Sequence, residues 1–298
     1  MDRIIDAVDR HGVRWVGVVQ GEGTSSAVWQ VEGAETSQAL AVGFMRSKQS
    51  WEHFKSGLSV TAVPVEALAS MTFNVPLQPA LDAVCMVSGF GYTHRSVNGL
   101  PMPERSSPDW YYKGNGKGLV SASRAIKSPC HASGAGIEIE YACVYLIDDC
   151  RNPRYIGYTL AVDFSDPVLR HTQPGLAGLS KLRNTALCQE LVIAEPPRHT
   201  VVRSSIVRRG ETVWDKQSLL GLDQLMFTKR ELEALLFQHE ELCEPGTVHY
   251  VLLGASISTD KDAFELQHGD VIRASSQEDG LQLSNLFEDE VVRQSCNC

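Results

Sequence analysis

Two glutamates and one aspartate carry the strongest chemical signal in this chain. Glu138 and Glu140 lie two residues apart in the run Gly136-Ile137-Glu138-Ile139-Glu140-Tyr141-Ala142-Cys143-Val144-Tyr145-Leu146-Ile147. In an extended strand side chains alternate, so both carboxylates share a face with Ala142, Val144 and Leu146, while Ile137, Ile139, Tyr141, Cys143, Tyr145 and Ile147 take the other. Both faces are apolar further along, which marks an interior strand. Two like charges at the start of such a strand need a counter-charge, because burying them unpaired is very costly. A hard cation would supply it, and all-oxygen donors suit Mg²⁺, Mn²⁺ or Ca²⁺ rather than Zn²⁺. A third carboxylate, Asp163, closes the next strand-like run, Tyr155 to Phe164, after the turn Asp148 to Pro153. If the two runs form a hairpin, Asp163 returns to the two glutamates. The alternative is a solvent-facing edge strand whose glutamates pair with lysine or arginine, as charged side chains commonly do.

The elements that must position these residues are mostly strands. Short β-branched or aromatic runs recur from residue 80 onward at Val84–Val87, Thr200–Arg208, Val248–Leu253 and Asp270–Ala274, separated by Gly, Pro and Asn. That density predicts a β-rich α+β core of sandwich or barrel type. One helix interrupts it, capped by Thr228 and running from Lys229 to Leu242, with Leu232, Leu235 and Leu236 on one face. Residues 1–78 read as a small N-terminal α+β domain and residues 79–298 as the catalytic one, with Pro76 and Pro79 at the boundary. In the first, the spacing of Ile4, Ile5 and Val8 predicts a short helix. Val13–Val19 and Ala27–Val31 predict paired strands across the turn Gly21-Glu22-Gly23, and helical patterns follow at Trp51–Leu58 and Val65–Leu68.

The 298 residues include 27 basic and 36 acidic ones, a net charge of −9 that gives no reason to bind nucleic acid or an anionic membrane. No run is long and apolar enough to span a bilayer, and the first residues lack the order of a signal peptide, so a cytoplasmic protein is expected. Most of the eight cysteines are then expected as buried small hydrophobes, and Cys296 and Cys298 as part of a frayed tail.

Several segments together resemble the fumarylacetoacetate hydrolase family over residues 80–290. Glu138-Ile139-Glu140 followed by Gly157-Tyr158-Thr159-Leu160-Ala161-Val162-Asp163-Phe164-Ser165 is similar to its metal-binding core. Cys243-Glu244-Pro245-Gly246-Thr247-Val248 resembles its Pro-Gly-Asp turn, Gly254-Ala255-Ser256 its Gly-Thr-Pro substrate loop, and Gln267 to Ile272 with Gly280 to Asn285 its closing hairpin. Gly89-Phe90-Gly91-Tyr92-Thr93-His94 is similar to the element that brings the family's histidine. Tyr111-Tyr112-Lys113-Gly114 and Ser180-Lys181-Leu182-Arg183 resemble the branch that dehydrates 2-keto-3-deoxy sugar acids such as 2-keto-3-deoxyarabinonate.

The resemblance implies a mixed β-sandwich or roll with a small N-terminal domain, a Mg²⁺ or Mn²⁺ ion on Glu138, Glu140 and Asp163, and a homodimer. It implies His94 and Lys181 as catalytic residues, with Tyr92, Lys113, Gly254, Ala255 and Ser256 around a 2-oxo acid substrate. A metal ion chelating such an acid acts as a Lewis acid and stabilises an enolate. His94 would then act as base or activate water, and Lys181 would stabilise charge or move a proton. Dehydration of a 2-keto-3-deoxy acid is the first expectation. C–C bond hydrolysis or decarboxylation of a β-diketo or 2,4-dioxo acid is the second, and a non-catalytic binding protein on the same scaffold is the third.

Four departures separate the chain from the family pattern. Val162 stands where Asn is usual beside the metal acid, which implies a missing hydrogen bond. Ala255 replaces Thr in the substrate loop, and Val97-Asn98-Gly99 lacks the glutamate that often pairs with the histidine. Ser96–Ser107 is short for a lid and implies a more open, wetter site.

Overall fold

The structure is a computed structural model that describes residues 1–21 and 27–290. Cys296 and Cys298, and most of the turn at Gly21-Glu22-Gly23, lie outside the described residues. A large mixed sheet runs, edge to edge, through Val60–Val63, Ala27–Val31, Arg14–Gln20, Arg3–Val8, Glu190–Val192, Pro153–Ser165, Gly136–Ile147, Val248–Leu252, Cys85–Gly91 and Asp109–Asn115. A second, five-stranded sheet packs on it: Ile126–Ser128, Gln282–Asp289, Val271–Ser276, Thr200–Arg208 and Glu211–Leu220. Strands from both sides of residue 78 share the large sheet, joined where Arg3 to Ile5 pair with Val192 to Glu190.

The glutamate strand, Gly136–Ile147, lies at the centre with apolar clusters on both faces. Ile137, Ile139, Tyr141, Cys143 and Tyr145 pack in one cluster with Val202, Ile206, Ile272, Leu283 and Phe287 of the smaller sheet. Ala142, Val144 and Leu146 pack in another with Val16, Val18, Leu40 and Trp51. Its hairpin with the aspartate strand, Pro153–Ser165, sets Glu138 directly opposite Asp163. The turn between them is locked by Asp148, whose Oδ1 accepts from the backbone N–H of Cys150 at 2.9 Å and Asn152 at 2.8 Å. The edge-strand alternative is excluded by this central position.

Two readings of the N-terminal part change. Arg3–Val8 is a strand rather than a helix, with residues 3 to 7 all buried. Burial on both faces removes the alternation that marks a half-exposed strand, so Ile4, Ile5 and Val8 mimic helical spacing. The helix of this region is Ser37–Ser47, where the Thr36 side chain accepts from Ala39 N–H. Trp51–Ser56 is helical as expected, whereas Val65–Ser70 is a 3₁₀ segment. The later helix is Lys229–Phe237 with a Thr228–Glu231 capping box. Leu232 and Leu236 are buried but Leu235 is exposed, and Glu240–Leu242 continues as 3₁₀. Cys85, Cys143, Cys188 and Cys243 are buried as small hydrophobes.

Candidate metal centre and substrate cavity

Glu138, Glu140 and Asp163 each present an oxygen within 4.8 Å of the others, and the two glutamates line a cavity of about 740 Å³. Asp163 is enclosed on every side. Its Oδ1 accepts from Lys113 Nζ at 2.5 Å, and its Oδ2 from Tyr111 Oη at 2.7 Å and Lys181 Nζ at 2.8 Å. Lys181 also donates to Glu138. Glu140 accepts from the Gly254 backbone N–H at 2.7 Å.

The electrostatics follow from this arrangement. Burial alone would raise the Asp163 carboxyl, but the Lys113 and Lys181 ammonium groups more than offset it and hold it well below the usual carboxylate range. Glu140 moves the other way, pushed well up by burial and then by the neighbouring charges of Asp163 and Glu138. Burial would lower Lys181 too, yet Asp163, Glu138 and Glu140 carry it above its ordinary value, so it holds its proton. Lys113 falls below its ordinary value because burial dominates there. Lys113 and Lys181 pair with Asp163, Lys181 and Arg170 with Glu138, and Glu140 forms no ion pair among the described residues. The all-oxygen donor set is of the kind that holds Mg²⁺ or Mn²⁺.

His94 lines the cavity and is 1% exposed. Its Nδ1 lies 2.5 Å from Ser96 O, which can only accept, so the proton belongs on Nδ1. Nε2 is then a bare lone pair, and it has no hydrogen-bond partner. Burial pushes the imidazole down to about 4, leaving it neutral at ordinary pH. A backbone carbonyl thus does the orienting for which the sequence lacks a glutamate. Asn98 takes a different task. Its side chain donates to Ser258 O and accepts from Ser258 N–H, both at 2.8 Å, tying the Ser96–Pro101 hairpin to the far wall.

The other expected site residues divide into two groups. Tyr92, Ala255 and Lys181 line the cavity, with Tyr92 at φ +57°. Gly254 lies beside it at φ +128°, where an added Cβ would stand 1.9 Å from Thr93 Oγ1, so only glycine fits. Ser256 is fully buried with an unpartnered hydroxyl and does not line the cavity. Lys113 does not reach it either. Its ammonium lies behind Asp163, also bonded to Phe164 O at 2.7 Å and Lys181 O at 3.1 Å, and its side chain is 0% exposed. The expected substrate contact is therefore corrected to a positioning role.

Val162 corrects a second expectation. It points away from Asp163 into the core beside Ile139 and Ala186, so no hydrogen bond to the metal acid is lost there. Two cavity residues escaped the sequence reading. Tyr111 was visible only as a neighbour of Lys113. Arg170, on the short helix Pro167–Thr172, places a terminal nitrogen 4.0 Å from Glu138 and 3.2 Å from Asp260, while its Nε has no partner. Its one sequence cue is position, seven residues after Asp163.

This architecture is a fumarylacetoacetate hydrolase-like fold. Among solved structures, the chain is similar to 2-keto-3-deoxy-D-arabinonate dehydratase in its apo form, with a TM-score of 0.73 and 16% identity over 96% of this chain and 99% of that one. The same enzyme complexed with magnesium and 2,5-dioxopentanoate matches equally, at TM-score 0.73, 16% identity and the same coverage. It is also similar to 5-carboxymethyl-2-hydroxymuconate delta-isomerase from Mycobacterium smegmatis, at TM-score 0.65 and 13% identity over 96% of this chain and 99% of that one. No family model and no curated protein matches the sequence. Among the described residues, no helix is long and apolar enough to cross a membrane.

Proposed function

We propose that this protein is a divalent-metal-dependent enzyme that acts on a 2-oxo acid at the Glu138–Glu140–Asp163 centre. The observation that carries the reading is the three-carboxylate group whose two glutamates line a cavity that His94, its Nε2 unpartnered, also lines. When bound, a Mg²⁺ or Mn²⁺ ion there supplies a Lewis acid for the 2-oxo group and favours its enolate form. The protein's own residues do the rest. Lys113 and Tyr111 fix the Asp163 carboxylate from behind and from the side. Lys181, protonated and facing the cavity, stabilises negative charge as it develops on substrate oxygen. Arg170, with its free Nε, offers a further donor for a substrate carboxylate or oxyanion. His94 accepts a proton at Nε2, from substrate carbon or from water.

The dehydratase neighbour complexed with magnesium and 2,5-dioxopentanoate supports elimination of water from a 2-keto-3-deoxy acid as the reaction. Purified protein with Mg²⁺ and a panel of such acids is expected to release a semialdehyde, and no turnover across the panel would exclude this reaction. C–C hydrolysis or decarboxylation of a 2,4-dioxo acid is the second reading. The unpartnered Nε2 of His94, a residue of the cavity lining, favours it. Loss of the enol absorbance of an acylpyruvate, abolished in His94→Ala, is its expected signature.

A further inference from the structure

The two walls of the cavity differ in kind. Glu138, Glu140, Arg170, His171, Lys181, Ser258, Asp260 and Lys261 make one polar wall, drawn from the glutamate strand, residues 170–181 and residues 258–261. The opposite wall comes from residues 90–112 and is mainly carbon: Phe90, Tyr92, Val97, Met102, Trp110 and Tyr112, with His94 and Asp109 as its charged or titratable members. Three of these lining aromatic residues are exposed, Tyr92 at 43%, Trp110 at 42% and Tyr112 at 39%. Exposed aromatics gathered in one cavity lining mark a binding surface rather than random surface apolarity.

The Tyr92 ring is held in place. The Arg105 guanidinium lies 3.9 Å from the Tyr92 ring centroid and bonds Asp109 at 3.3 Å, bridging the two edges of the wall. Met102 N–H donates to Arg95 O at 2.8 Å, which closes the hairpin stem and fixes the start of the same wall. The volume, about 740 Å³, belongs to the range that buries drug-sized ligands and far exceeds the need of a five-carbon acid.

We propose that the substrate carries a bulky apolar or aromatic tail beyond its 2-oxo acid head, and that Trp110 and Met102 bind that tail and determine specificity. The proposal rests on the 2-oxo acid reading and extends it. The head lies at the carboxylate centre and the polar wall. The tail lies along residues 90–112, the carbon-rich wall.

Calorimetry on the full chain in saturating Mg²⁺ tests this with two probes, pyruvate and phenylpyruvate, which share the head and differ in the ring. Phenylpyruvate is expected to bind about tenfold or more tighter than pyruvate. Trp110→Ala and, separately, Met102→Ala are expected to remove most of that difference while leaving pyruvate affinity unchanged. Equal affinity of the two acids overturns the tail proposal alone. Equal weakening of both acids in Trp110→Ala also overturns it, since the residue would then act on the whole site. Binding of neither acid overturns the 2-oxo acid reading and this proposal with it.

Discussion

Replacing Lys113 by Met separates a positioning lysine from a substrate-binding one. The Lys113 ammonium has no exposure and serves three acceptors, Asp163 Oδ1, Phe164 O and Lys181 O. Methionine keeps most of the volume but leaves those acceptors short of a donor and removes one of the two full cations beside Asp163. Breaking one side of a buried ion pair costs about 3–5 kcal/mol. With a slope of about 3 kcal/mol per molar urea, the metal-free unfolding midpoint should fall by about 1–1.7 M. The double variant Lys113→Met/Asp163→Asn should be more stable than the sum of the single losses predicts, by about 1 kcal/mol or more, because the two groups are partners. A midpoint shift below about 0.3 M in Lys113→Met, accompanied by a raised KM, would refute the reasoning and return Lys113 to the substrate.

Other positions give sharp expectations. Gly254→Ala forces a side chain into φ +128° and against Thr93 Oγ1, so it should cost more than about 2 kcal/mol in thermal or urea unfolding and weaken Mn²⁺ binding through Glu140. An unchanged melting curve would contradict that geometry. His249 is fully buried, its Nε2 2.7 Å from Leu242 O, and burial pushes it down to about 4. Its folded pKa lies below the unfolded value of about 6.5, so the fold prefers the neutral ring. That stabilisation is complete above pH 6.5 and is lost as pH falls toward 4. His249→Gln should flatten this part of the stability–pH curve, and an unaltered slope would argue against it. His94→Gln should lower kcat by about 10²-fold or more. In the wild type, burial pushes His94 down to about 4, so the acid limb of kcat/KM should fall near that pH, and a limb near 6.5 would contradict a buried His94 as the base.

The site was legible in the sequence because its central hairpin obeys simple rules. The start of Gly136–Ile147 alternates and the turn at Asp148 to Pro153 closes a hairpin, so Asp163 could be placed at the end where Glu138 and Glu140 sit; the bulge between Val144 and Tyr145, which sets Asp163 rather than Val162 opposite Glu138, has no such cue. The β-rich core was legible for the same reason, through strands bounded by Gly, Pro and Asn. What escaped depends on contacts distant in sequence. Arg3–Val8 is buried by Arg14–Gln20 on one edge and Glu190–Val192 on the other, and no local pattern announces the second partner. Whether Lys113 faces substrate or the back of Asp163 depends on how Asp109–Asn115 docks at the sheet edge. The role expected at Val162 failed on parity, since neighbours in a strand face opposite ways. The hairpin in the short Ser96–Ser107 segment is pinned by Asn98 to Ser258, an attachment spanning 160 residues that no local pattern announces.

The central claim is that Glu138, Glu140 and Asp163 hold one divalent ion. A crystal of the full chain soaked in Mn²⁺, with anomalous data collected at the manganese edge, tests it most directly. One peak in contact with oxygens of all three carboxylates is the predicted result, with Lys181 drawn away from its bridge between Glu138 and Asp163. No peak at this position, with Lys181 still bridging the two carboxylates, would contradict the account.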